Sequence, residues 1–171
     1  MRYHNYSSAV GAVLLLWSQL AFSLTNSHLS LEISAESSAK VTLYYKNKPV
    51  TGEILPFPLE VDGLSKKFTK ESGYFYVVGN VDKAEIVFFD NVFELMPVSG
   101  DGKSINLQGS FSFNGTDSAV NKKLIVPVLK SVTDGNQTNG VKVRFSSEHS
   151  IDHYSQGTYA NTFTLMVTPV I

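Results

Sequence analysis

Residues 28–38 read HLSLEISAESS, with Leu29, Leu31, Ile33 and Ala35 alternating strictly with polar Ser30, Glu32 and Ser34. Alternation of that kind places every apolar side chain on one face of a half-buried β-strand. The residues that follow, Glu36-Ser37-Ser38-Ala39, contain neither Gly nor Pro, so no hairpin signal ties this strand to a local partner. A well-formed strand without an evident neighbour is the first feature to explain.

What precedes it reads as a targeting segment. Arg2 is followed by an apolar stretch from Ala9 to Phe22, and Ala21-Phe22-Ser23 places small residues at the −3 and −1 positions of a cleavage after Ser23. A basic start, a short apolar run and a small-residue end describe a signal peptide, residues 1–23, rather than a membrane span. No later stretch approaches the roughly 18 to 20 apolar residues a spanning helix needs. The expectation is an exported chain whose residues 24–171 suffice for one domain with its own core.

Composition narrows the function classes. Fifteen Asp and Glu face fourteen Lys and Arg, and Arg2 belongs to the signal segment. A nucleic-acid partner, which would call for a basic patch, is not expected. Cysteine is absent. That excludes disulfide stabilisation, zinc–thiolate and iron–sulfur sites, and a cysteine nucleophile. Stability must come from packing, or from partners that complete the domain.

Short alternating or apolar runs recur along residues 37–171. They are 40–45, 74–78, 84–89, 105–107, 123–129, 141–145 and 162–167, divided by Asp62-Gly63, Gly79-Asn80, Gly100-Asp101-Gly102, Asn114-Gly115, Asp134-Gly135-Asn136 and Asn139-Gly140. About seven short strands and almost no helical periodicity predict an all-β, immunoglobulin-like sandwich, with a small closed barrel as the alternative. Residues 99–121 read as a polar, irregular connection, interrupted at most by 108–113.

Candidate chemistry is thin. In Ser99-Gly-Asp-Gly-Lys-Ser104 the phosphate-loop pattern would need a glycine where Pro97 stands, and proline offers no N–H. His149, Asp152 and His153 would share a face only on a helix, and their surroundings read as strand and loop, so a solvated loop is expected rather than a metal site. No Ser-His-Asp set or carboxylate pair assembles from local spacing, so no catalytic residue, cofactor or enzymatic activity is expected. Asn114-Gly115-Thr116 and Asn136-Gln137-Thr138 match the glycosylation acceptor pattern and mark exposed turns.

The C-terminus carries the second informative pattern. In Gly157–Ile171, Tyr159, Phe163, Leu165 and Val167 fall on one face and Thr162, Thr164, Met166 and Thr168 on the other, with Pro169 expected to end regular pairing. Together the two ends resemble a chaperone–usher pilus subunit, nearest to the Cys-free CS1/CFA-type (alpha-clade) fimbrial pilins. The likeness lies in the alternating segment 29–35, the strand 41–45 with its turn Lys46-Asn47-Lys48-Pro49, and Gly157-Thr158-Tyr159 before a terminal strand. Where an Asp-Pro pair is frequent in that group, Glu36-Ser37 stands here.

The resemblance implies an incomplete immunoglobulin-like β-sandwich, residues 37–171, preceded by a donor-strand extension, residues 24–36. The donor face would be Leu29, Leu31, Ile33 and Ala35. The groove edge and chaperone-binding strand would carry Tyr159, Phe163, Leu165, Val167 and the carboxylate of Ile171. Implied partners are other copies or related fimbrial subunits, a periplasmic chaperone, an outer-membrane usher and a host receptor. The implied location is the periplasm in transit and then a fimbrium on the cell surface. The alternative is a self-complete secreted β-sandwich that binds glycan or protein, with residues 28–36 as its own first strand.

Overall fold

The computed structural model describes residues 38–100 and 102–171. In chain order the strands are β1 (Val41–Tyr45), β2 (Lys48–Pro49), β3 (Glu60–Val61), β4 (Lys67–Glu71), β5 (Phe75–Gly79), β6 (Lys83–Phe88) and β7 (Glu94–Pro97). They continue with β8 (Ile105–Phe113), β9 (Thr116–Ala119), β10 (Leu124–Pro127), β11 (Val141–Ser150), β12 (Tyr159–Ala160) and β13 (Leu165–Val170). Two 3₁₀ turns, Val132–Asp134 and Ile151–His153, are the helical elements among the described residues. Residues 38–171 form one compact unit.

The strands make two antiparallel sheets. The larger runs β12-β7-β8-β11-β5-β1-β2, with β4 also on β11, β3 on β4 and β9 on β8; the smaller runs β10-β6-β13. Alternation decides what faces inward. Ala84, Ile86 and Phe88 of β6 and Val126 of β10 meet Val77, Phe111, Val141, Val143 and Phe145 of the larger sheet, and all of these are buried. The sheets lock through aromatic rings: Phe88 stacks on Phe111 at 5.8 Å and meets Phe145 edge-on at 5.6 Å. The chain is all-β, and its two facing sheets with free edges form a sandwich of the immunoglobulin-like kind rather than a closed barrel.

Turn chemistry sets the hairpins. Asn114 and Gly115 both take positive φ, 48° and 75°, between β8 and β9. Lys46 and Asn47 do the same, at 49° and 62°, between β1 and β2. Two consecutive left-handed residues are what a two-residue hairpin needs to match strand twist. Between β4 and β5, Ser72 repairs the interrupted ladder. Its N–H donates to the Val143 carbonyl and its Oγ accepts from the Val143 N–H, both at 2.8 Å.

Three expectations need correction. Residues 105–119 are not irregular: β8 is a nine-residue strand with Ile105, Leu107 and Phe111 buried, and β9 pairs with it. Gly109 hides the pattern, because Val120 and Phe145 occupy the space its inward side chain would take. His149 lies in β11 and only His153 in a turn, with the two rings 4.2 Å apart. Finally, Pro169 does not end pairing, since β13 continues opposite β6 as far as Val170.

Candidate functional site

The geometry of β13 explains how a proline fits within a ladder. Thr164, just before β13, accepts from the Phe89 N–H at 2.9 Å, and its own N–H donates to Asp90 Oδ2 at 2.6 Å. Its backbone groups therefore face β6. Backbone direction alternates along a strand, so Met166, Thr168 and Val170 also face β6, opposite Val87, Glu85 and Lys83. Leu165, Val167 and Pro169 then direct their backbone groups to the other edge. No strand pairs there among the described residues, because β13 ends the order β10-β6-β13.

This edge is apolar as well as unpaired. Leu165 and Val167 are half-buried and pack against the core, whereas Met166 and Val170 on the opposite face are exposed at 41% and 40%. Strand β1 lies beside β13, its Cα atoms coming within 8 Å without sharing a ladder. Paired strands sit roughly 4.8 Å apart, so a strand inserted between two others holds them about 9.6 Å apart.

Residues 53–59 are a second stretch without a ladder among the described residues. Leu55, Phe57 and Leu59 alternate toward the core with Pro56 and Pro58 outward. The Phe57 ring meets Phe145 at 6.2 Å, and Phe145 in turn packs on Phe163 at 5.6 Å. Sequence reasoning missed this segment because two prolines deny it a ladder, although its apolar alternation was visible.

The expected site residues separate into groups. Leu165 and Val167 lie together on the free edge of β13. Phe163 lies two residues before that strand, in the aromatic cluster with Phe93 at 5.2 Å and Phe145 at 5.6 Å. Ile171 follows β13 and is fully exposed. Tyr159 is placed elsewhere: it pairs with Pro97 in β12, at the edge of the larger sheet, and its hydroxyl donates to the Ser155 carbonyl at 2.9 Å. Leu29, Leu31, Ile33 and Ala35 lie outside the described residues.

Charge is sparse on this edge and better paired elsewhere. Across the outer face of the small sheet, Lys123 bridges Glu85 at 2.9 Å. On the larger sheet, Glu71 hydrogen-bonds Lys142 at 2.7 Å and holds its ammonium above the usual lysine range. The Asp62 carboxyl is held below its usual range, chiefly by the Ser65 N–H and then by the Ser65 hydroxyl, both at 2.7 Å. No group of three or more His, Cys, Asp or Glu able to hold a metal gathers among the described residues, nor is any helix there long and apolar enough to cross a membrane.

No protein-family model and no curated protein sequence matches the chain. Among solved structures, one described as "Chaperone-tip adhesin complex is vital for synergistic activation of CFA/I fimbriae biogenesis" aligns with 78% of this chain at 16% identity and a TM-score of 0.47. The chain spans 42% of that chain's length.

Proposed function

We propose that this chain is a structural subunit of a chaperone–usher fimbria, joined to its neighbours by donor-strand complementation. The observation that carries the reading is the free edge of β13, whose inward Leu165 and Val167 stay half-buried and whose outward backbone groups have no ladder partner among the described residues. A sheet edge of this kind is a template for an added strand.

The sequence itself offers a segment whose apolar alternation suits that edge. Residues 28–36, at roughly 3.3 Å each, reach about 30 Å, the length of a sandwich. Leu29, Leu31 and Ile33 would each add about 1.5 to 3 kcal/mol on burial, an upper estimate. A single domain is typically stable by about 5 to 15 kcal/mol, so the added strand is a decisive fraction of the total. Before assembly the same edge would be covered by a periplasmic chaperone that also holds the Ile171 carboxylate. An outer-membrane usher would then exchange chaperone for donor strand, and adhesion to a host receptor would be a property of the finished surface fibre. The subunit would act without catalysis or cofactor.

Deleting residues 24–36 tests this reading. Assembly into fibres should be lost while the complex with the chaperone persists. Loss of the chaperone complex as well would mean that the segment is an intrinsic strand of its own domain, the arrangement of a self-complete sandwich.

A further inference from the structure

Resting on the strand-addition reading, we propose that Pro169 fixes the register of the incoming strand. Leu29, Leu31, Ile33 and Ala35 of a second copy then lie opposite Pro169, Val167, Leu165 and Phe163.

The inference begins with the backbone of β13. Its inward residues turn their backbone groups to the free edge, as the Thr164 bonds to Phe89 and Asp90 establish by alternation. A strand added antiparallel to β13 forms its hydrogen-bonded pairs with those same residues. Side chains of directly opposed residues share a face. The apolar residues of the added strand must therefore stand opposite Leu165, Val167 and Pro169. A slip of one residue would turn every one of them outward, so only even slips compete.

Pro169 discriminates between the even registers. Its carbonyl can accept, but it offers no N–H, so the carbonyl opposite it goes without a donor. With Leu29 opposite Pro169, that orphan lies at the end of the ladder, beside exposed Val170 and Ile171, where water reaches it. Moving the strand two residues places Leu31 opposite Pro169 and Leu29 opposite Ile171. The orphan carbonyl then falls inside the ladder, cut off from water, at a cost of about tenfold or more in population. The opposite slip brings Ile33 against Phe163, which is already packed on Phe93 and Phe145. Ala35 is the smallest residue of the donor face, and it suits that crowded position.

Absence of native cysteine makes the register directly measurable. Residues 30 and 168 would form a non-hydrogen-bonded pair with Cα atoms about 4.5 Å apart, within disulfide reach. Full-length chains carrying Ser30→Cys with Thr168→Cys report the proposed register. Chains carrying Glu32→Cys with Thr168→Cys report the two-residue slip. In fibres oxidised and resolved without reductant, the first pair should cross-link neighbouring copies roughly ten times more than the second. Adding Pro169→Ala should bring the two yields toward equality. The ratio is internal to each preparation, so a variant that assembles poorly still reports it. Equal yields with Pro169 in place, or a ratio unmoved by Pro169→Ala, would overturn the register stop while leaving strand addition standing. Cross-links confined to monomers, or no assembly in any chain, would overturn strand addition itself.

Discussion

A single methyl group at residue 109 should destabilise the domain by about 2 kcal/mol, within the range for overpacked cores. A Cβ built on Gly109 would sit 2.5 Å from Val120 Cγ2 and 2.6 Å and 3.0 Å from Phe145 Cε1 and Cδ1. Ordinary carbon contacts lie at about 3.5 to 4.0 Å, so the overlap on each side is about 1 Å. Neither neighbour has room to retreat. Val120 is 2% exposed and donates its N–H to the Gly109 carbonyl, while Phe145 is 4% exposed and hemmed in by Phe88, Phe93 and Phe163. Where space allows, alanine in place of glycine inside a regular element instead stabilises by roughly 0.5 to 1 kcal/mol, so even the sign of the effect is diagnostic.

Urea unfolding of the chain freed of residues 1–23 measures it. Tyrosine emission serves as the probe, since the one tryptophan, Trp17, lies in the signal segment. With a slope of about 2 kcal/mol per molar urea, Gly109→Ala should lower the midpoint by about 1 M without changing the slope. Adding Val120→Ala removes one of the clashing methyls and should recover less than it costs by itself, a non-additive pair. An unchanged or raised midpoint for Gly109→Ala would refute the packing at the heart of the sandwich.

Phe145→Ala should cost about 3 to 5 kcal/mol in the same assay, because the ring joins Phe88, Phe93, Phe163 and Phe57 across both sheets; a loss under about 1 kcal/mol would place the core elsewhere. Two exposed groups tune the pH limits. The raised Lys142 contributes stability that is complete below its unfolded pKa and lost as pH rises through the folded value, so Glu71→Gln should shrink the alkaline fall in Tm. The lowered Asp62 contributes stability present above its unfolded pKa and lost as pH falls through the folded value, so Asp62→Asn should flatten the acid limb.

Strands with period-two alternation and a buried face were legible in the sequence: β1, β5, β6 and β11 begin within a residue of their expected starts. Those that the pattern hides were not. Gly109 interrupts the inward row of β8 because its neighbours fill the space, and β4 carries Lys67, Lys70 and Glu71 within five residues, so that Phe68 is its one large apolar residue. The terminal strand was visible as a strand, yet its start lies at Leu165 and it runs through Pro169. A proline can sit there only because its missing N–H faces the free edge, and which edge is free depends on a topology that spacing does not encode. Tyr159 illustrates the same gap, since its alternation with Phe163 suggested a shared strand while the chain between them crosses from one sheet to the other.

Amide hydrogen exchange at Leu165 and Val167 tests strand addition most directly, because these N–H groups on the free edge of β13 have no ladder partner among the described residues. They should exchange freely in the chain lacking residues 24–36 and become strongly protected in the assembled fibre, while Met166 and Thr168, already bonded to β6, change little. Equal exchange at Leu165 and Val167 in the two states would contradict strand addition at this edge.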